Sequence, residues 1–284
     1  MTATLVDRSP DNTLAREASL VDWFRARGSV AIGFSGGVDS TYLAAVAVEA
    51  VGPENTLAII GRSASFPESQ WKNARDLAVR LGVPILEIDT EELADERYAA
   101  NPTNRCYFCK SELWTKLGPA ARAHTKAVLV DGTNADDLSD HRPGAVAAKE
   151  HGVRSPLAEL GMTKDEIRDR SRARGLPTWS QPSSPCLASR IPYGTAVTTD
   201  RLRRIERAEL ALRALGLTGN LRVRDHGDLG RVELDAAELD RLVRESSLDS
   251  VATAVTSSGF VRAAIDLAGF RSGSLNVLEG VVGQ

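Results

Sequence analysis

The sequence contains no apolar stretch that approaches the length of a membrane span. Its N-terminus also lacks a basic region followed by a hydrophobic one, so the cytoplasm is the expected location. Positive charge is not in excess: the net charge is -3 and the isoelectric point is near 5.9. This balance argues against binding nucleic acid through bulk electrostatics. We therefore expect neither a membrane nor a nucleic acid as a partner.

Cysteine is scarce, with three residues in the chain: Cys106, Cys109 and Cys186. An odd number in a cytosolic setting argues against disulfides and directs attention to chemistry or metal binding. Cys106 and Cys109 are spaced so that both thiols can reach one metal ion. A structural zinc would need two further ligands, and none of the four histidines is paired at zinc-finger spacing. An iron-sulfur cluster with one open iron would use all three thiols, whereas the Cys-x-x-Cys pair could also be merely structural.

The lysine of a Walker loop is absent, and so is the three-glycine spacing of a dinucleotide site. Residues 33–40 instead read Gly-Phe-Ser-Gly-Gly-Val-Asp-Ser, between a predicted strand over 29–34 and a predicted helix over 39–51. A glycine turn that opens a helix attracts anions, because its free N–H groups and the helix dipole favour negative charge. Ser35 and Ser40 add hydroxyl donors. The octet therefore predicts a phosphate cradle.

Strand and helix patterns alternate along the first part of the chain. The strands are predicted over 29–34, 56–61, 84–89 and 126–131, and the helices over 14–27, 39–51, 67–81 and 109–123. This alternation predicts an α/β fold with a doubly wound parallel sheet. Sites in such sheets lie at the carboxyl ends of strands, which here carry residues 35–40, 61–65 and 132–136.

A smaller α+β domain is predicted after residue 188. Its predicted elements are helices over 200–215, 236–245 and 248–257 and strands over 220–225 and 230–235. Arg222 and Arg224 lie two residues apart on one predicted strand, so both side chains point to the same face. Such a pair predicts an anion clamp, although both could also be solvent-facing strand residues. We predict domains over residues 1–187 and 188–284.

Several motifs point to one family. The octet resembles the PP-loop, Ser-Gly-Gly-x-Asp-Ser, of ATP pyrophosphatases, which cut ATP between its α and β phosphates and adenylate an acceptor. Further segments follow in order: Arg105-Cys-Tyr-Phe-Cys-Lys110, Asp131-Gly-Thr-Asn-Ala-Asp-Asp137, Arg142-Pro-Gly144, Ser155-Pro-Leu157, Ser184-Pro-Cys-Leu-Ala-Ser-Arg-Ile-Pro-Tyr-Gly194 and Ser272-Gly-Ser-Leu-Asn276. Together, from about residue 15 to 277, they resemble the LarE family, the sulfur transferases that help build the nickel-pincer nucleotide cofactor of lactate racemase.

The resemblance implies an adenine nucleotide α-hydrolase-like PP-loop domain, followed by a sulfur-transfer and substrate-binding domain. It implies that the protein binds ATP with Mg²⁺, that Asp39 holds the metal ion, and that the chain forms a homo-oligomer. The implied ATP-binding residues are Ser35, Gly36, Gly37, Asp39, Ser40, Ser63, Gly132, Thr133 and Asp136. On residue type alone, Asp136 and Asp137 are equally suited to holding magnesium and to capping a helix.

The implied reaction adenylates a carboxylate of pyridinium-3,5-biscarboxylic acid mononucleotide and then replaces its oxygen with sulfur. Cys186 stands where the family carries its sulfur-bearing cysteine, and the nearby Ser189 and Arg190 are expected to orient substrate or to stabilise the thiolate. Arg222 and Arg224 match the pair that binds the substrate phosphate in this family. The expected partner is thus a small-molecule nucleotide.

The resemblance leaves two sulfur sources open. In members with one such cysteine, that residue gives up its sulfur and becomes dehydroalanine. Other members hold a [4Fe-4S] cluster with three cysteines, and the set Cys106, Cys109 and Cys186 favours that branch. Acidic residues of the second domain, Glu206 or Glu209 with Glu233, could also form a metal site, or could simply be solvated.

Other enzymes share the PP-loop. A tRNA-thiolating enzyme is the nearest alternative, but it would be expected to carry a basic RNA surface or an added RNA-binding module. An amide-forming ligase needs no thiols, so it would not depend on Cys186. A nucleotide-binding regulator would release no pyrophosphate from ATP.

Overall fold

The protein is described here by a computed structural model covering residues 10–124, 127–139, 143–245 and 247–271. Arg142 and the segment 272–276, both used as motifs above, lie outside these residues. In chain order the helices and strands are α1 (Pro10–Arg25), β1 (Val30–Gly33), α2 (Val38–Val51), β2 (Thr56–Arg62), α3 (Glu68–Arg80), β3 (Ile85–Asp89), α4 (Glu96–Ala99), α5 (Arg105–His124), β4 (Val128–Val130), α6 (Pro143–Glu150), α7 (Pro156–Glu159), α8 (Lys164–Ala173), α9 (Thr199–Ala214), β5 (Leu221–His226), β6 (Leu229–Leu234), α10 (Ala236–Arg244), α11 (Leu248–Ser257) and β7 (Arg262–Ile265).

The chain forms two compact units. The first comprises residues 1–63, 68–90 and 106–183, and the second comprises residues 64–67, 91–105 and 184–284. Two short segments from the first half of the chain therefore belong to the second unit. The predicted functional boundary between residues 187 and 188 remains a proposal.

The first unit contains a four-stranded parallel sheet in the order β3-β2-β1-β4. This confirms the predicted α/β class with a parallel sheet. Strand β1, one of the two inner strands, is apolar and buried, as expected when helices cover both faces of a parallel sheet. A Cβ at Gly33 would lie 2.6 Å from the Trp114 ring of α5, and one at Gly61 would lie 2.3 Å from Leu113. These glycines let α5 approach the sheet closely.

Several elements of this unit differ from the sequence predictions; α1, for instance, begins at Pro10 rather than at residue 14. Helix α5 begins at Arg105 rather than at residue 109, because the Arg105 N–H already donates to the Pro102 carbonyl. The Cys-x-x-Cys pair therefore lies in the first helical turn. Helices α6, α7 and α8 were not predicted. For α8 a signal was present: Thr163 and Glu166 form a reciprocal capping box at its start.

The second unit contains a three-stranded sheet in the order β5-β6-β7, with β5 and β6 antiparallel and β7 parallel to β6. The two strands predicted over 220–225 and 230–235 are confirmed as β5 and β6, whereas β7 was missed. Helix α9 buries one stripe of side chains, namely Leu202, Ile205, Ala208 and Leu212. This spacing of three and four residues produces one apolar face. Among the described residues of the whole chain, no helix has both the length and the apolar composition that crossing a membrane requires.

A buried charge network ties α1 to α2 and α8. The Glu17 carboxylate accepts hydrogen bonds from Arg170 at 2.8 Å, from Arg174 at 2.9 Å and from the Tyr42 hydroxyl at 2.7 Å. Burial alone would raise the pKa of Glu17, but these hydrogen bonds outweigh it and lower the pKa to about 2. The network therefore stabilises the fold above the ordinary carboxyl pKa, and this contribution is lost as the pH falls from about 4.5 toward 2.

Replacing Glu17 with glutamine is expected to lower the free energy of unfolding at pH 7 by about 2 to 3 kcal/mol, since it removes the carboxylate paired with Arg170 and one of the two paired with Arg174. The loss should shrink below about pH 4.5, because Glu17 of the unfolded wild-type chain then takes up a proton while Glu17 of the folded chain stays ionised. Glu49→Gln is the matched control, because Glu49 also pairs with Arg174 but its side chain is 53% exposed. Urea unfolding at pH 7 and pH 3.5 measures both, and equal losses for the two variants would refute the assignment.

Candidate active site

The octet forms a cradle where β1 meets α2. Gly36 adopts a left-handed φ of +69°, and a Cβ there would lie 2.8 Å from the Ala74 backbone of α3. Gly37 is the N-cap residue of α2 and gives it no side-chain cap, so the first-turn N–H groups face the turn. Glycine alone satisfies both the backbone angle and the close approach at residue 36. The cradle therefore suits a phosphate ligand.

The two serines of the octet are oriented by the turn itself. Their hydroxyl oxygens lie 3.2 Å apart, and the Ser40 hydroxyl lies 3.3 Å from both the Ser35 N–H and the Gly37 carbonyl. The Gly37 N–H points to the Ser35 hydroxyl at 3.4 Å. These contacts are long, so an incoming phosphate oxygen can compete for the same donors.

The carboxyl end of β4 closes against the start of α2. A Cβ at Gly132 would lie 3.1 Å from both the Asp39 Cβ and the Ser40 nitrogen. Thr133 follows, and its N–H donates to Asp131 at 3.1 Å. The structure thus brings Gly132 to the cradle, as expected from the sheet order. Ser63 lies half-buried just beyond the end of the neighbouring strand β2.

Asp39 is the acidic residue of the cradle. One of its oxygens lies 3.4 Å from the side-chain nitrogen of the buried Asn134, and the other forms an ion pair with the Lys164 ammonium group. Its side chain is 22% exposed and therefore open to a ligand. The Asn134 amide presents its nitrogen to Asp39, so the Asp39 carboxylate is the group here that offers the oxygen ligands Mg²⁺ prefers. This carboxylate fits a magnesium ion bound with the phosphates of ATP.

Asp136 and Asp137 both accept backbone N–H groups. Asp136 accepts from Lys164 at 2.7 Å, at the start of α8, and Asp137 accepts from Asn134 at 3.1 Å. The Asn134 carbonyl oxygen accepts from the backbone N–H of Asp136 at 3.0 Å. Of the two roles considered for these aspartates, the structure displays the capping role. Magnesium binding by Asp136 remains a proposal.

Lys164 is a residue that the sequence interpretation missed. It is the first residue of α8, where the capping box and the Asp136 carboxylate hold the backbone. Its side chain reaches Asp39, 125 positions away in the sequence. The chain therefore supplies a cation to its phosphate cradle although it lacks a Walker lysine. The capping box could have located the helix, but nothing local could have placed its lysine beside Asp39.

Cys106 and Cys109 lie in the first turn of α5, in the first unit. Neither forms a disulfide; Cys106 is exposed and Cys109 is half-buried. Residues three apart on a helix share a face, so both sulfurs can reach one ligand. Cys186 is a half-buried free thiol of the second unit. Within the described part of the chain, no group of three or more His, Cys, Asp or Glu residues is arranged to hold a metal. The iron-sulfur site remains a proposal.

Arg190 fixes the segment that carries Cys186. Its side chain is buried, and one guanidinium nitrogen donates to the carbonyls of Pro185 at 2.6 Å and Cys186 at 3.1 Å and lies 3.0 Å from the Ser189 hydroxyl. Its other two nitrogens donate to the Glu209 carboxylate of α9 at 2.9 and 3.0 Å. Arg190 therefore anchors the cysteine segment to α9. Ser189 is brought to the same guanidinium group.

The two arginines of β5 lie on one face of the strand, but they differ in their contacts. Arg224 forms a two-pronged hydrogen bond to Glu233 at 3.0 and 2.8 Å and also donates to the Ser189 carbonyl at 2.8 Å. Burial, and to a smaller extent the positive charge of Arg190, lowers the pKa of Arg222 to about 10. A cation that is destabilised in this way gains most from an incoming anion. Arg222 is therefore the stronger candidate for an anion site.

Two of the acidic residues considered for a metal site are engaged by arginines. Glu209 receives Arg190, and Glu233 receives Arg224 and Arg231. Glu209 also accepts the Val223 N–H at 3.0 Å. These carboxylates hold the cysteine segment and the arginine strand together.

The chain is similar in sequence to several known proteins. The chain matches the NAD synthase family over residues 19–109. An uncharacterized protein of Synechocystis is 44% identical over 86% of this chain and 91% of its own length. The pyridinium-3,5-bisthiocarboxylic acid mononucleotide synthase of Lactiplantibacillus plantarum is 35% identical over 93% of this chain and 95% of its own length. A GMP synthase of Aeropyrum pernix is 32% identical, but over 66% of this chain and 40% of its own length.

Proposed function

Because the chain belongs to the LarE family of ATP-dependent sulfur transferases, which includes the thiocarboxylate synthase of Lactiplantibacillus plantarum, we propose that it acts on pyridinium-3,5-biscarboxylic acid mononucleotide. It converts a carboxylate of this nucleotide to a thiocarboxylate for the nickel-pincer cofactor. The observation that carries the proposal is that the chain contains both a PP-loop cradle, in the first unit, and a braced Cys186 segment with a buried Arg222, in the second. An amide-forming ligase would need neither the Cys186 segment nor Arg222.

The first step activates the carboxylate. A carboxylate oxygen of the substrate attacks the α-phosphorus of ATP, the bond to the β-phosphate oxygen breaks, and pyrophosphate leaves. The α2 amides, Ser35 and Ser40 bind the departing pyrophosphate, and Lys164 stabilises its charge. Mg²⁺ held by Asp39 would neutralise the phosphate oxygens. The product is an acyl-adenylate, whose AMP is a far better leaving group than oxide.

The second step exchanges oxygen for sulfur. A sulfur nucleophile attacks the acyl carbon, and AMP leaves with the original carboxylate oxygen. If Cys186 itself attacks, a thioester forms; loss of the Cys186 α-proton then breaks the bond between Cβ and sulfur, leaving dehydroalanine in the chain and a thiocarboxylate on the substrate. If Cys106, Cys109 and Cys186 instead hold a [4Fe-4S] cluster, that cluster would supply sulfide. Both routes need the Cys186 segment held in place.

Anaerobic turnover with defined substrates tests the proposal. The protein is incubated with MgATP and the pyridinium biscarboxylate nucleotide, unmodified tRNA or ammonia with a carboxylate acceptor. Mass spectrometry of the products should show AMP, pyrophosphate and thiocarboxylate with the first substrate alone. Thiolated tRNA as the preferred product would replace the proposal with the tRNA alternative. If the ultraviolet-visible spectrum of the anaerobically purified protein shows no thiolate-to-iron charge-transfer absorbance, the cluster is excluded as the sulfur source.

Arg222→Gln is expected to raise the KM for the pyridinium nucleotide by about 10- to 100-fold, since a charge-assisted contact is worth about 1.5 to 3 kcal/mol. The KM for ATP should stay unchanged. Arg231→Gln is the matched control on the adjacent strand, because its guanidinium pairs with Glu233 and Asp266 and is 23% exposed. Initial-rate kinetics measures both. A similar rise in KM for the two variants would assign Arg222 a structural role.

A further inference from the structure

The segment that carries Cys186 has almost no regular secondary structure of its own. Between residues 184 and 195 it forms one 3₁₀ turn, Leu187–Arg190, and no strand. Its backbone groups must therefore find partners elsewhere. Arg190 and Arg224, described above, take the carbonyls of Pro185, Cys186 and Ser189. Two further side chains, Asn101 and Arg105, bind other carbonyls of this segment.

Asn101 is the first of these. It is fully buried, and among the described residues it is the only one other than glycine with a positive φ, at 58°. Its side-chain nitrogen faces three carbonyl oxygens of the cysteine segment: Ile191 at 3.3 Å, Pro192 at 2.8 Å and Thr195 at 2.8 Å. Its own carbonyl accepts the Gly194 N–H at 2.9 Å. A left-handed asparagine in such a network is a backbone arrangement that the surroundings must hold in place.

Arg105 is the second. Its side chain is buried, and one guanidinium nitrogen donates both to the Asn101 side-chain oxygen and to the Ala188 carbonyl, the latter at 2.9 Å. Ala188 lies two residues after Cys186. Arg105 is also the residue immediately before Cys106 in the sequence. Arg105, the first residue of the helix that carries Cys106 and Cys109, thus holds the backbone that follows Cys186.

We propose that Asn101 and Arg105 are positioning residues that set the placement of the Cys186 thiol for sulfur transfer. They bind backbone carbonyls between Ala188 and Thr195, while Arg190 binds the carbonyls of Pro185 and Cys186. Neither side chain acts on the carboxylate or on ATP. Their loss therefore uncouples the second step of the reaction from the first. This inference rests on the proposed function, but the placement of the Cys186 thiol can be measured without the substrate.

The experiment compares Asn101→Gly and Arg105→Gln with Arg105→Lys. Asn101→Gly keeps the left-handed backbone accessible, because glycine adopts positive φ freely, and removes only the amide. Lysine keeps one donor of the arginine. Pyrophosphate release should stay within threefold of the wild type, while thiocarboxylate formed per pyrophosphate should fall about 10-fold or more in the first two variants and be partly restored in Arg105→Lys. Arg97→Gln is the control, because Arg97 lies in the same segment of the second unit, residues 91–105, and is exposed.

A second measurement does not depend on the substrate. The rate at which iodoacetamide alkylates Cys186, read by peptide mass spectrometry on the protein as purified, should rise about threefold or more in Asn101→Gly and Arg105→Gln and stay unchanged in Arg97→Gln. If the wild type makes no thiocarboxylate, the proposed function fails while alkylation still tests the bracing. A purely structural role would lower both reaction steps in parallel with the folded fraction. An unchanged product-to-pyrophosphate ratio together with an unchanged alkylation rate would overturn the inference.

Discussion

Replacing Cys186 with alanine is expected to abolish thiocarboxylate formation, with a loss of about 10³-fold or more, as is typical when a reacting group is removed. Pyrophosphate should still be released from ATP in the presence of the nucleotide substrate, because the cradle belongs to the first unit and uses no thiol. The acyl-adenylate then accumulates or is hydrolysed. Parallel assays of pyrophosphate and thiocarboxylate on the same anaerobic sample measure the two steps. Thiocarboxylate formation at the wild-type rate would refute a role for Cys186.

Cys106→Ala and Cys109→Ala are the companions that identify the sulfur source. If Cys186 surrenders its own sulfur, both variants complete one turnover, and the intact protein then loses the elements of hydrogen sulfide at Cys186. If three thiols hold a cluster, both variants lose sulfur transfer as fully as Cys186→Ala does. None of the three cysteines forms a disulfide in the structure, so each is compatible with either chemistry. The two routes thus predict opposite results for the same two variants.

The parts of the site that could be predicted from the sequence are those whose requirements are local. Gly36 must adopt a left-handed φ between a strand and a helix, and a run of eight residues carries that information. The parallel sheet was predictable for a similar reason, since each βα unit has its own apolar pattern. Once the strands are ordered, the carboxyl end of β4 must lie beside that of β1, which brings Gly132 to the cradle.

The residues that escaped prediction depend on contacts between distant segments. Asn101 reaches backbone carbonyls about 90 positions later, and a carbonyl leaves no trace in a sequence pattern. The two arginines of β5 show a related limit. Their spacing predicted a shared role, but only the packed structure separates Arg224, which is matched with Glu233, from Arg222, whose pKa is lowered by burial. Burial and partner identity are properties of the fold, so a two-residue spacing cannot contain them.

Replacing Lys164 with alanine is expected to slow pyrophosphate release by about 10²- to 10³-fold, the range found when one preorganised electrostatic contact to a developing charge is lost. The reason is that Lys164 is the cation paired with Asp39 beside the phosphate cradle. Lys149→Ala, a change at an exposed lysine of α6, should leave the rate unchanged. Thiocarboxylate formed per pyrophosphate should also stay at the wild-type value, because the sulfur step is untouched. A fall in that ratio would move Lys164 from the first step to the second.

Asp39→Asn is expected to cost about 10²-fold and to raise the Mg²⁺ concentration needed for half-maximal rate, because asparagine is a weaker ligand for a hard cation. Since Asp39 and Lys164 are in direct contact, their effects should not add. In the single Lys164 variant the Asp39 carboxylate is left uncompensated beside the incoming phosphates, and in the double variant Asp39→Asn/Lys164→Ala this repulsion is gone. The double variant should therefore lose less than the product of the two single losses. Additive losses in pyrophosphate release would mean that the ion pair is a structural contact and that the two residues serve ATP cleavage independently.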